Sequence, residues 1–402
     1  MISVFPAPNE RLCNLVQMAE ACHCLDLEDL PFLKFQDINP VLRTFQSAAT
    51  LTKLSIRSIH FDQDTVVQLA VVLNCCVELY SLQLININLT YRNLNVVSNY
   101  IQSAPHRQNS LASSEPLQSV VHLALNSNPL CCYTAVHDSF KALQKILKMC
   151  TALESVELED IDANTEFFKQ SSGQLKELSS LKSISVANNN ISCEGVDALL
   201  KLLPLNQCTE LNFADVSHVC SDLLCSVLTS NAEQAQLCSL QSLDLSNNAL
   251  PLICVSQLCQ LIMKLPNLAK IVLDGNSSVD NNGLASLLQA SLTHSHLNTV
   301  HSVGCGLSVP IDAAFWDLLS SKIGLGSAAV TSRLICWRFS VCPTKISDLN
   351  NRYSDAATKS DDSWNDFVRQ LIEFYSKKWL IAWPNGKVVR ESAVVFCLSA
   401  KC

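Results

Sequence analysis

Glycine and proline are scarce, 9 and 13 of 402 residues, about 5% together against roughly 12% in average usage. So few tight turns exclude collagen, disfavour a turn-rich β-barrel, and leave no GxxxxGK[ST] phosphate loop for nucleotide hydrolysis. Charge is also low, at 16%, with a formal net charge of -8 and no block of five or six basic residues, so non-specific grip on a phosphate backbone is disfavoured. Aromatics are only 6%, which gives base-stacking recognition of single strands little to work with. No run of eighteen apolar residues occurs, and MISVFPAPNERLC has no basic region followed by an apolar stretch; the expectation is a soluble intracellular protein.

What is abundant is leucine: 62 residues, about 15% of the chain, within an apolar share of 48%. Such a composition folds around a large core. The 20 cysteines are spread through apolar helical patterns, where free thiols behave as small hydrophobes. Cys75–Cys76, Cys131–Cys132 and Cys22–His23–Cys24 lack the paired spacing of a structural zinc site, so no metal and no cofactor is expected.

The stretch LQSLDLSNNAL at 240–250 matches the leucine-rich template LxxLxLxxNxL at every fixed position. Aligned on its first residue, further units start at Leu51, Leu79, Val120, Leu153, Leu181, Cys208, Leu240, Leu268, Leu297 and Leu334. The steps of 28, 41, 33, 28, 27, 32, 28, 29 and 37 residues give a base period of 28 to 29 with inserted loops. That length holds a short strand and a full return helix. TVVQLAVVL (65–73), EGVDALLKLLP (194–204) and NGLASLLQASL (282–292) carry the helical spacing. The expected fold is α/β: a leucine-rich repeat solenoid, a horseshoe of the ribonuclease-inhibitor-like type, with a parallel inner sheet and outer helices.

The ninth residue of each unit should be Asn, whose side chain bonds backbone groups where the strand bends into the loop. Asn128, Asn189, Asn248 and Asn276 fill it, with Cys305 and Cys342 as smaller substitutes. Ile59, Ile87, Ile161 and Val216 cannot make that bond, so local irregularity is expected there unless burial of the branched side chain compensates. The organisation read from these signals is an N-terminal helical cap at 1–48, with a helix near Glu10 to Cys22; about ten repeats at 49–344; a polar linker at 345–363; and a small C-terminal cap segment at 364–402. The last contains a helical stripe from Trp364 to Lys378, a turn at Trp383 to Lys387 and a β-type run ending in Val394, Val395 and Phe396.

Strand residues between the fixed leucines point out of the concave face and line up as stripes about 4.8 Å apart. Seven carboxylates fall there or just beyond: Glu157, Glu159, Asp160, Glu210, Asp215, Asp244 and Asp274, against one base, Lys270; Lys53, Arg57 and Arg338 lie towards the ends. An acidic protein scatters carboxylates over its whole surface, and these seven fit that. Together they also fit a docking surface for a basic or helical partner segment. Catalytic signatures are missing: there is no GxSxG elbow, HExxH helix or Cys–His pattern, so no enzyme is expected. Gly324 to Ala329 matches GxGxx[GA], but a helical pattern precedes it where a dinucleotide fingerprint needs a strand.

Several blocks resemble the leucine-rich region of the Tonsoku-like DNA repair proteins. LNSNPL (125–130) leading to CTALESVELED (150–160) is similar to one repeat of that family, and LPLNQCTELNFADVSHVCSDLL (203–224) to its insertion-bearing repeat. LDGNSSVDNNGLASLL (273–288) has the family's extra residue after Asn276, and GCGLSVPIDAAFWDLL (304–319), with Pro310 and Trp316–Asp317, resembles its closing repeat. The resemblance covers about residues 50 to 345. It implies a nuclear, non-catalytic scaffold in homologous recombination at damaged replication forks, whose leucine-rich part engages the large obligate subunit of the complex, with no direct nucleic acid, membrane or small-molecule contact. The family's tetratricopeptide and ankyrin repeats are not found here, so histone reading is not carried over, and either a fragment or a shortened relative is expected. The alternatives are a ribonuclease-inhibitor-like or GTPase-regulating protein that covers an enzyme, and a ubiquitin-ligase substrate receptor, for which the first 24 residues lack a clear F-box-like start.

Overall fold

The computed structural model describes residues 23–28, 42–43, 51–103, 116–169, 178–216, 221–233, 237–305, 335–339, 380–382 and 394–398. The chain divides into two compact units, Met1–Cys208 and Thr209–Cys402. Each is a stretch of leucine-rich repeat solenoid.

In the first unit, strands β1 (Cys24–Glu28), β2 (Lys53–Arg57), β3 (Ser81–Ile85), β4 (His122–Ala124), β5 (Ser155–Glu157) and β6 (Ser183–Ser185) lie side by side in chain order and all pair in parallel. Helices α1 (Gln63–Cys75), α2 (Tyr91–Ser103), α3 (Val136–Met149), α4 (Thr165–Lys169) and α5 (Cys193–Leu202) return the chain between strands. The second unit repeats the plan with β7 (Glu210–Asn212), α6 (Ser221–Glu233), β8 (Ser242–Asp244), α7 (Cys254–Lys264), β9 (Lys270–Val272), α8 (Asn281–Thr293) and β10 (Thr299–Ser302).

Register follows the sequence phase. Lys53, Ser81, His122, Ser155 and Ser183, the third residues of successive units, are direct Cα partners, and so are Glu210, Ser242, Lys270 and Thr299. The fourth and sixth residues point to the helices and form the core; Leu54, Ile56, Leu123, Leu243 and Leu245 are completely or almost completely buried. Each such Leu contributes about 2 kcal/mol of burial. Helices α1 and α8 begin where short polar side chains accept orphan amides. Asp62 takes the Thr65 N–H at 2.8 Å ahead of α1, and Asp280 takes the Gly283 N–H at 2.9 Å ahead of α8. The three segments given above as helical patterns fall in helices α1, α5 and α8, the second running two residues past the end of α5 at Leu202.

Strand β1 falls within the segment read as a helical cap. It pairs with β2 from Cys24↔Lys53 to Glu28↔Arg57, which makes Cys22 the first residue of one more unit. Its first and ninth residues, Cys22 and Leu30, match the template no worse than Cys208 and Val216 do, and Cys22 lies 29 residues ahead of Leu51, within the base period. The helix expected near Glu10 to Cys22, the linker at 345–363, the helical stripe at 364–378, the Trp383 to Lys387 turn, Cys342 and the 324–329 motif lie outside the described residues. At the far end β11 (Ile335–Phe339) pairs with β10, then β13 (Val394–Leu398) with β11, then β12 (Leu380–Ala382) with β13, all parallel; the β-type run at 394–396 is therefore part of a strand.

The expected irregularity at the aliphatic ninth positions does not occur. Ile59, Ile87, Ile161 and Val216 are buried, and the strands around them keep register. The reason is that each Asn serves the turn of the unit before it. Asn128 accepts the Ile87 and Leu89 N–H groups at 3.1 and 3.0 Å and donates to Leu84 O at 2.6 Å. Asn189 does the same for Ile161 and Ala163, and Asn248 for Val216. Cys305 donates from Sγ to Leu273 O at 3.3 Å, a reduced form of that bridge.

Candidate functional site

The open face of the sheet, opposite the helices, carries the third, fifth and seventh residues of each unit. This geometry sorts the seven carboxylates into two kinds. Glu157 and Asp244 are fifth residues, Glu210 is a third, and Glu159 and Asp274 are sevenths; these five lie along the open face of their own unit. Asp160 and Asp215 are eighth residues, and their placement has a backbone cause. The eighth residue has φ between +52° and +74° at nine units: Ser58, Asn86, Ser127, Asp160, Asn188, Asp215, Asn247, Gly275 and Gly304. Short polar residues and glycine tolerate this left-handed conformation best. Those two aspartates are thus turn residues first.

In the first unit the acidic pair is held by polar neighbours on the flanking strands. Asn126, a seventh residue on the preceding repeat, donates from Nδ2 to Glu157 Oε2 at 2.9 Å and accepts the Glu159 N–H at 3.0 Å. His122 Nε2 stands 3.7 Å from Glu157 Oε1, and the Ser185 hydroxyl donates to Glu159 Oε1. Both glutamates stay half-exposed and Asp160 is exposed. The bases of this face lie on β2. Lys53 pairs with Asp26 at 3.0 Å, and Arg57 donates to Gln83 Oε1 at 2.7 Å. Burial works to raise the Asp26 carboxyl, but hydrogen bonds from Lys53 and Ser55 and the charges of Lys53 and Arg57 outweigh it and hold the group below its ordinary value.

In the second unit the carboxylates fold onto backbone instead. Asp244 Oδ1 accepts the Ser246 N–H at 2.9 Å and its hydroxyl at 2.6 Å, and Asp274 Oδ1 accepts the Val303 N–H at 2.6 Å. Glu210 is exposed, as is Lys270 two strands away across Ser242. Asn126, His122 and Ser185 were not singled out by sequence: the template leaves third, fifth and seventh residues unconstrained, and Asn126 reads as loop polarity beside the template Asn128.

No group of three His, Cys, Asp or Glu that could hold a metal ion occurs among the described residues. The cysteines whose side chains are described are free thiols. Burial pushes Cys76, Cys150, Cys208 and Cys305 up to about 12, which makes them packing groups rather than nucleophiles. Among the described residues no helix is long and apolar enough to cross a membrane.

No protein-family profile matches the chain. It is 25% identical over 325 residues to the Tonsoku-like protein of Danio rerio, across 78% of this chain and 21% of that protein. To the Tonsoku-like protein of Mus musculus it is 26% identical over 233 residues, across 56% of this chain and 17% of that protein. The chain thus spans about a fifth of the length of the curated relatives it matches. Among solved structures it is similar to a chain of the yeast Rad7 and Elc1 complex, with TM-score 0.48 and 16% identity over 75% of this chain and 68% of that one. It is also similar to the leucine-rich repeat protein LegL7 of Legionella pneumophila, with TM-score 0.43 and 15% identity over 82% and 98%.

Proposed function

We propose that this relative of the Tonsoku-like proteins is a non-catalytic docking scaffold that acts in the nucleus, in repair of replication-associated double-strand breaks by homologous recombination. Its partner is the large obligate subunit of the Tonsoku-like repair complex, held on the open face of the repeats. The observation that carries this reading is the set of half-exposed or exposed carboxylates at third, fifth and seventh positions: Glu157 and Glu159 in one unit, and Glu210, Asp244 and Asp274 in the other. Asp160 and Asp215 sit beside these stripes and add charge at the rim. Charge of this kind sets register and on-rate for a basic partner segment more than it sets raw affinity.

The test is capture from nuclei of cells under replication stress. Wild-type chain recovers the large subunit and repair factors. Reversal of Glu157, Glu159 and Asp160 to Lys lowers recovery about tenfold, while the isosteric Glu157→Gln, Glu159→Gln, Asp160→Asn variant, which keeps acceptors for Asn126 and Ser185, separates charge from architecture. Unchanged recovery by the Lys variant removes this face from the interaction. Recovery of a cytosolic nuclease or GTPase without repair factors replaces the scaffold with an enzyme-covering regulator.

A further inference from the structure

The five strand junctions of the first unit are not equivalent. Those between β3 and β4 and between β5 and β6 are bridged in the interior by Asn128 and Asn189. The β4/β5 junction lies between them and has Ile161 at the ninth position, so the interior side-chain bridge is replaced there by one backbone bond, Cys131 N–H to Ile161 O at 3.1 Å. The β2/β3 junction is built likewise, with Phe61 N–H donating to Ile87 O at 2.9 Å, but of the five only β4/β5 lies between two bridged junctions.

We infer that the β4/β5 junction is a hinge between two two-repeat blocks, and that it is clamped from the docking face by Asn126. The clamp is the bidentate use of that amide: Nδ2 to Glu157 Oε2 at 2.9 Å, and Oδ1 from the Glu159 N–H at 3.0 Å. Asn126 is nine-tenths buried, so each bond it loses leaves a polar group with little access to water. Local opening free energy in a repeat array follows such nearest-neighbour terms, so an unbridged junction opens before the bridged ones on either side of it. The inference does not depend on the proposed partner. If the docking reading holds, a cationic group that takes Glu157 competes with Asn126 and loosens this junction alone.

Hydrogen exchange of the full, unliganded chain at residue resolution, corrected for intrinsic rates, tests it. Two amide pairs are compared: Leu125 and Ser127, which cross β4/β5 to Glu157 O and Glu159 O at 2.9 and 2.8 Å; and Leu158 and Asp160, which cross β5/β6 to Ser185 O and Ala187 O at 2.8 and 3.0 Å. The first pair exchanges about tenfold faster in the wild type. Asn126→Ala and Glu157→Ala widen the gap, Glu157→Gln, which keeps the acceptor, leaves it, and Ile161→Asn, which installs the interior bridge, narrows it. Equal protection of the two pairs in the wild type overturns the hinge. Equal acceleration of both pairs by Asn126→Ala overturns the clamp. Because the wild-type comparison needs neither a variant nor a partner, it decides the hinge even where a variant fails to fold or where capture from nuclei fails.

Discussion

The turns of the two units obey one rule in different rhythms. From Ile87 onward in Met1–Cys208 the ninth position alternates, Ile87, Asn128, Ile161, Asn189, so each Asn bridges back to a unit that has none. In Thr209–Cys402 Asn248 and Asn276 follow one another, and Asn276 accepts the N–H of Asn248 itself at 3.2 Å together with that of Leu250 at 3.1 Å. Alternation spends one amide on every two turns and leaves junctions without an interior bridge; succession makes a chain in which one amide seats the next. The acidic residues differ in a parallel way. Glu157 and Glu159 reach across strands to side chains, whereas Asp244 closes its own turn and Asp274 accepts a backbone N–H of the next repeat. The fifth-position carboxylate on this face is therefore a cross-strand tie in one unit, at Glu157, and a cap in the other, at Asp244.

The largest effects come from removing the bridging amides. Asn128→Ala strands two buried N–H groups, and Asn276→Ala strands two others; each costs about 3 kcal/mol at 1–3 kcal/mol per orphaned group. The double variants separate the two rhythms. Asn128→Ala with Asn189→Ala, two strands apart, adds to within about 0.5 kcal/mol, while Asn248→Ala with Asn276→Ala, directly hydrogen-bonded, departs from additivity by more than that. Denaturant unfolding of the four singles and two doubles measures both. Equal additivity would mean that succession carries no coupling.

How much of this was legible beforehand depends on which interaction fixes each residue. Leucines at the fourth and sixth positions are dictated by one-sided burial, so the phase read from 240–250 located every strand from β2 to β10. Strand β1 escaped although its unit matches the template as well as the one that starts at Cys208: Cys22 lies one period, 29 residues, ahead of Leu51, and Leu25 and Leu27 hold the core positions and are buried. The template states that Asn is present, but not that its bonds run backward to the preceding unit. That direction, visible only in three dimensions, is why Ile161 and Val216 cost nothing in their own turns. On the docking face, composition predicted the carboxylates and missed the left-handed eighth position that accounts for Asp160 and Asp215.

A smaller effect tests that eighth position. In the second unit it is occupied by Gly275, where a Cβ would lie 1.8 Å from Asn247 Oδ1 at φ +73°. Gly275→Ala is expected to cost about 1–2 kcal/mol, part strain and part displacement of the Asn247 side chain. In the first unit Asp160→Gly relieves a left-handed aspartate at the expense of unfolded-state entropy, and the two nearly cancel, within about 0.5 kcal/mol. Thermal melts of both variants give the contrast. A loss of more than 1 kcal/mol in Asp160→Gly would assign Asp160 a structural contact beyond its turn.

The smallest effect concerns β1, the strand the template did not reveal. Its Asp26 is held below the ordinary carboxylate value of 3.8 by Lys53, Ser55 and Arg57, against the opposing pull of burial. A carboxyl depressed in the folded chain binds its proton less tightly there than in the unfolded chain. Its contribution is therefore fully present above about pH 4 and fades as pH falls through the folded value. Asp26 and Lys53 are both more than a third exposed, so solvent screens much of the pair and the slope is shallow. Urea midpoints of wild type and Asp26→Asn, followed from pH 6 to pH 3, should converge at the acid end and stand apart above it, by an amount that shrinks in high salt. Parallel curves would show that β1 is joined to β2 by its backbone ladder alone, and that the ion pair at that edge of the first unit contributes nothing measurable.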